Sequence, residues 1–220
     1  DVIDAVNVRR LAREFDPLSG ETTEDTWNDF YDSQHPELKE RFKEVCHYLE
    51  EYRIDASRYL REEFTLIRSA FTVSERPTRY AAFERSGRSI PLQAKQRSDI
   101  LRLLLYFEEY MLHGEVLDVL ELTLAVTPMF RQIRDLPAGK RFRCLLVDEF
   151  QDFSTLDLRL LMWVPPRDAE NGLFLAGDLV QKILVKRLSL RDAGLAEGSA
   201  VYRRIKKNYR NSRQILRAAS

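Results

Sequence analysis

The sequence predicts an α/β protein, predominantly helical, with a small parallel sheet in its last third. Three observations predict it. Apolar residues recur at helical spacing through most of the first 134 residues. Two short, continuous apolar runs, 144–147 and 173–176, follow the breakers Pro137 and Gly139 and suit strands buried on both faces. A helical stretch lies between those runs, and strand–helix–strand with short loops is the pattern of a parallel sheet.

Taken in order, residues 2–8 read as a short strand with Val6 and Val8 on one face, and residues 9–15 as a helix. Residues 16–26 carry loop chemistry, with Pro17 and Gly20 as breakers. Pro36 opens a helix that runs toward Tyr52, since proline is tolerated at the first helical position. Leu60, Phe64, Ile67 and Phe71 form one apolar stripe, and Ile100, Leu103, Leu104, Phe107 and Met111 another, ended by Gly114. Between these two stripes, residues 85–91 (RSGRSIP) read as a turn. Residues 116–133 repeat the pattern with Leu117, Leu120 and Leu124. Beyond the first strand, Ser154 caps a helix reaching Trp163, and Pro165, Pro166 and Gly172 break the chain. Residues 201–208 look extended, and Asn211 caps a last helix. Trp27 and Trp163 read as packing residues.

The chain has 220 residues with 35 Lys+Arg and 35 Asp+Glu, so neither a wholly basic nucleic-acid coat nor an acidic tail protein fits. Zero net charge conceals an uneven distribution. Residues 1–64 hold 17 acidic and nine basic residues, whereas 201–220 hold seven basic residues and no acid. Residues 76–102 carry seven basic residues against Glu84 and Asp99. They are either solvated helix faces or, with 201–217, phosphate contacts. No run approaches the roughly 18–20 apolar residues of a membrane span, and no signal peptide follows Asp1. The two cysteines, Cys46 and Cys144, exclude a disulfide framework and a four-thiolate zinc site, and a cytoplasmic setting is expected. His35, His47 and His113 show no metal-ligand spacing. The chain starts without methionine and stops at Ser220, so a segment of a longer protein is expected.

Parallel sheets place ligands at the carboxyl ends of their strands. Asp148, Glu149, Asp178 and Gln181 all fall at such ends. One carboxylate at a strand tip can hold magnesium, and a neighbour can take a proton from an attacking water. The alternative is that Asp148 and Glu149 merely begin a loop.

The motifs narrow that choice. LLVDEFQD (145–152) resembles the Walker B motif of superfamily 1 DNA helicases of the UvrD/Rep type, whose signature reads DE-x-QD. LFLAGDLVQKI (173–183) resembles the family's next motif and KKNYRNS (206–212) the one after, in matching order and spacing. FERSGRSIPL, Arg97 and Tyr110 resemble the region before Walker B in a UvrD-like subgroup, and 6–15 the segment before an inserted helical subdomain.

The resemblance implies a P-loop (RecA-like) motor fold, with residues 1–20 at the edge of the first motor domain and 21–136 a helical inserted subdomain. Residues 137–200 would be the second half of the first motor domain, and 201–220 the start of the second. It implies ATP and Mg2+ as cofactors, with Asp148 coordinating the metal and Glu149 the general base. Gln151 would couple nucleotide to DNA, and Gln181 would sense the γ-phosphate. Tyr209 would stack near adenine, Arg187 would end the Gln181 motif at the nucleotide, and Arg210 would be the arginine finger. Partners would be single-stranded DNA or DNA junctions, and the segment alone would be a monomer without ATPase activity.

Three positions depart from the family pattern. Leu184 and Lys186 stand where a base-stacking tyrosine and tryptophan are usual, so grip on DNA there would rest more on charge, and Val180 replaces a frequent acid. The phosphate-cradling G-x-x-x-x-G-K-[ST] loop is not in these 220 residues: of eight glycines only Gly139 precedes a lysine, and Arg134 and Arg141 break the pattern. The family places that loop upstream. Two rivals remain, a helicase-like scaffold without motor activity and a metal-dependent nuclease using Asp148, Glu149 and Asp178.

Overall fold

The first helix among the described residues begins where a loop is expected. In the computed structural model, which describes residues 20–33, 36–83, 90–114, 116, 118–133, 142–165, 172–178, 188–195 and 200–204, helix α1 spans Gly20–Ser33. Gly20 therefore starts a helix rather than breaking one. Trp27 and Phe30, three apart, point into the core and supply the burial that decides the matter. The predicted strand 2–8, helix 9–15, turn residues 85–89 and cap at Asn211 lie outside the described residues.

Four long helices build the main core. They are α1, α2 (Pro36–Glu51), α3 (Ala56–Ala70) and α5 (Ala94–His113). Phe42, Val45 and Leu49 of α2 recur at helical spacing and are buried, as are Leu60, Phe64 and Ile67 of α3 and the whole predicted stripe of α5. Asp55 caps α3, its side chain accepting the N–H of Arg58 at 2.8 Å. Trp27 packs edge-on against Phe64 and Phe107, with both centroids at 5.4 Å, and donates its indole N–H to Ser57 Oγ at 2.9 Å. The expected packing role of Trp27 is thus seen in full.

A short helix, α4 (Arg76–Arg79), separates α3 from α5, and α6 (Val119–Ile133) follows. Buried charge joins these elements. Arg68 of α3 makes a bidentate pair with Asp118, at 2.6 Å to each oxygen, and reaches Glu121 at 3.3 Å. Arg76 donates to Glu108 at 2.7 Å. Asp118 also accepts the N–H of Glu121, so it caps α6 while neutralising Arg68.

In the basic stretch 76–102, Arg76, Arg79 and Arg97 are turned to internal partners, whereas Lys95 and Arg102 are exposed, and Arg85 and Arg88 lie outside the described residues. Arg76 is spent on Glu108. Arg79 is spent on Glu75 and Asp192. Arg97 donates to the carbonyls of Tyr80, Ala81, Phe83 and Leu92.

Strand β1 (Leu145–Val147), a 3-10 turn (Phe150–Asp152), α7 (Thr155–Leu161), β2 (Leu173–Leu175) and α8 (Leu190–Ala193) complete the fold. The strands pair in parallel, Leu145 with Leu173 and Val147 with Leu175. The expected helix after β1 is present, and its Ser154 cap is a full capping box with Asp157. Burial on both sheet faces is not seen. Val147 is buried, whereas the paired Leu146 and Phe174 are 71% and 60% exposed among the described residues. One face packs inward and the other stays open. No described helix is long and apolar enough to cross a membrane.

Candidate functional site

Because β1 and β2 run parallel and in register, the loops leaving them emerge from the same sheet edge. Asp148 and Glu149 follow Val147 directly, and Gly177 and Asp178 follow Leu175 by two residues. The ladder continues past the strand ends: Ala176 N–H donates to Val147 C=O at 2.8 Å and Phe150 N–H to Ala176 C=O at 3.0 Å. The juxtaposition expected from sequence is therefore held by backbone.

The local geometry at Asp148–Glu149 is unusual. Glu149 adopts φ 51° and ψ 42°, the left-handed region that a residue with a Cβ seldom occupies. Asp148 Oδ1 accepts the N–H of Glu149 at 2.9 Å and steadies that turn. Chain reversal at Glu149 leads straight into the 3-10 turn, leaving both carboxylates exposed at the strand tip. Left-handed backbone of this kind costs on the order of 1–3 kcal/mol and persists where its surroundings over-determine it.

Gln151 supplies that determination. Its side chain is buried, with the residue 3% exposed. Its Nε2 donates to Glu149 Oε2 at 2.6 Å, and its Oε1 accepts the backbone N–H of Asp178 at 3.0 Å. One amide thus ties the β1 carboxylate to the β2 loop. Gly177 makes room for it: a Cβ there would overlap Gln151 Oε1 and lie 2.7 Å from Phe150 Cδ1. The value of Gly177 escaped the sequence reading, although a glycine directly after a buried strand was the available signal.

Asp148 is exposed, and its Oδ2 accepts no hydrogen bond among the described residues. A single exposed carboxylate fits a magnesium ion that keeps several waters and takes its remaining ligands from phosphate. Three carboxylates gathered on one ion would suit the nuclease alternative, and among the described residues no group of three or more His, Cys, Asp or Glu could hold a metal. Gln181, Arg187, Tyr209 and Arg210 lie outside the described residues.

The class of protein that this fold and site define is an α/β protein with acidic residues at the carboxyl ends of two parallel strands, where such sheets place their ligands. Comparison with protein families gives the particular one. The UvrD/REP helicase N-terminal domain model matches residues 2–189, and the chain belongs to that helicase family. Helicases of the UvrD type use ATP with magnesium. No curated protein and no solved structure matches the chain.

Proposed function

We propose that this chain is the Walker B portion of an ATP-dependent DNA helicase that couples hydrolysis to movement along single-stranded DNA in the cytoplasm. The observation that carries the reading is the joint exit of Asp148–Glu149 and Gly177–Asp178 from one sheet edge, bridged by Gln151. The two strands would belong to a RecA-like motor domain, and the helices of residues 21–136 to its inserted subdomain.

Magnesium, when bound, offsets charge on the transferring phosphoryl group. Asp148 would hold it. Glu149 would accept the proton of the attacking water, and Gln151 would keep that carboxylate aimed by donating to Oε2. An amide donor at this point orients the base without adding charge. Its other end touches the loop that leads to Gln181, so a shift there would reach Glu149 through one side chain. Gln181, Arg187, Tyr209 and Arg210 would complete the nucleotide site in the roles that family membership supports.

The test is DNA-stimulated phosphate release by a protein that carries this chain with a phosphate-binding loop and a second motor domain. Asp148→Ala should abolish turnover there. Magnesium-dependent DNA cleavage without nucleotide would favour the nuclease reading instead, and DNA binding with no turnover the scaffold reading.

A further inference from the structure

Among the described residues, two α-helices are a single turn long. Helix α4 spans Arg76–Arg79 and α8 spans Leu190–Ala193. One turn fixes several residues for one or two hydrogen bonds, so neither helix is stable on local terms. Each needs outside support, and the same set of charged side chains supplies it to both.

Glu75, directly before α4, is the centre. Its carboxylate accepts the N–H and hydroxyl of Thr72 at 2.9 and 3.0 Å, Arg79 Nη1 at 3.0 Å and Arg159 Nη1 at 2.9 Å. Arg79 then donates through Nη2 to Asp192 Oδ1 at 2.8 Å. Arg159, on α7, donates through Nε to the backbone carbonyl of Asp192 at 2.7 Å. Two arginines therefore grip both Glu75 and Asp192, residues far apart in sequence. Ser189, the N-cap of α8, also donates its N–H to Thr155 Oγ1 at 3.0 Å. The Ser189–Gly194 turn is thereby fixed to the helix that follows Asp148–Asp152.

We propose that Glu75, Arg79, Arg159 and Asp192 form a charged clasp that locks the turn downstream of Gln181 to the helix downstream of the carboxylate pair, and both to the α3–α4 junction. Its meaning for catalysis rests on the function proposed above, but the clasp itself does not. Arg76 extends the connection: three residues before Arg79 on α4, it enters the buried cluster through Glu108. Helix α4 is thus a strut with one end in the helical core and the other on the clasp.

The clasp makes two demands that a merely packed turn would not. It should be pairwise, so that removing either of two partners has the same effect as removing both. It should also be salt-sensitive, because its four side chains are 23–34% exposed, unlike the Arg68 cluster at 2–10%. Hydrogen exchange of the amides of Ala193, Gly194 and Leu195, which donate within the α8 turn, reads both.

In the 220-residue chain, Glu75→Gln and Arg159→Gln should each speed exchange at these amides by about 3- to 10-fold at low salt. The double variant should be no faster than the faster single. In the unmutated chain, raising salt from about 0.05 M to about 1 M should remove the same protection. The amide of Phe71, bonded to Ile67 at the end of α3, should not change in any of these. Unaltered exchange at residues 193–195 in both single variants, or a double variant whose effect is the product of the singles, would overturn the clasp. Should a variant loosen the whole fold, Phe71 would report it and the salt series alone would decide: salt-independent exchange at 193–195 overturns the proposal. None of these readouts involves nucleotide turnover, so a protein without ATPase activity would defeat the functional reading and leave the clasp standing.

Discussion

Gln151 Oε1 accepts the backbone N–H of Asp178 at 3.0 Å, a contact that spans 27 residues of chain and closes the gap between two strand ends. The same side chain holds Glu149 Oε2 at 2.6 Å. In the role proposed for Glu149, a carboxylate that takes a proton must be held still without being neutralised. A neutral amide does this, where an arginine in the same place would pair with the base.

That relationship depends on Gly177. Its replacement by alanine would drive a methyl group into Gln151 Oε1 and Phe150, and Gln151 cannot withdraw without giving up its bond to the Asp178 N–H. We expect Gly177→Ala to cost about 1–3 kcal/mol, the usual range for overpacking. The midpoint of urea unfolding measures it. Gln151→Ala, which removes the nearer obstacle along with the bridge and leaves only Phe150, should make Gly177→Ala less costly in the double variant. Additive costs would show that the steric conflict lies elsewhere.

Glu75 gives a pH signature. Partial burial raises its pKa, but hydrogen bonds from Arg159 and Thr72, with the positive charge of Arg159, outweigh this and bring it from 4.5 down to about 2. A folded-state pKa below the unfolded one contributes stability that is complete above about 4.5 and lost as pH falls through about 2. The stability difference between the parent chain and Glu75→Gln should therefore be constant near neutrality and shrink through that acid window. Urea unfolding at a series of pH values checks it.

Arg68 should be the most costly charged residue to remove. It is 3% exposed and faces Asp118, Glu121 and Glu108. Breaking a buried pair by deleting one partner typically costs about 3–5 kcal/mol. Arg68→Met should lose that much in denaturant unfolding. Arg68→Lys should recover only part, because a single ammonium cannot replace two parallel bonds to Asp118.

How much of this was legible depends on where the information resides. The stripes of α3 and α5 were readable because burial at Leu60, Phe64, Ile67, Leu103, Leu104 and Phe107 follows directly from spacing. Ser154 was likewise a local signal for a helix start, and Asp157 completes its capping box. Helix α1 was not readable as far as Gly20, since Pro17 and Gly20 signal a break and only contact with Phe64 and Phe107 shows what Trp27 is for. Charge was misleading at two residues of 76–102: sequence cannot reveal that Arg76 meets Glu108 or that Arg79 meets Asp192. At the site, Asp148 and Glu149 stood out as a motif. The bridge from Gln151 to Asp178 required knowing that the two strands are in register.

The 220-residue chain by itself should bind ATP weakly. A triphosphate would bring several negative charges against Asp148 and Glu149, without a glycine-rich loop and lysine to offset them. Affinity on the order of millimolar or weaker, about 4 kcal/mol, is expected by calorimetry with magnesium. Micromolar binding would show that other residues of this chain cradle phosphate.

The most direct measurement is DNA-stimulated ATPase of Glu149→Gln, made in a protein that joins this chain to a phosphate-binding loop and a second motor domain. Glutamine keeps the size and polarity of the side chain and its reach to Gln151, but it cannot accept the proton. Nucleotide binding should be retained, and turnover should fall by about 10²–10⁴-fold, the usual loss with a positioned base. Turnover near that of the parent protein would contradict the assignment of Glu149 and the account built on it.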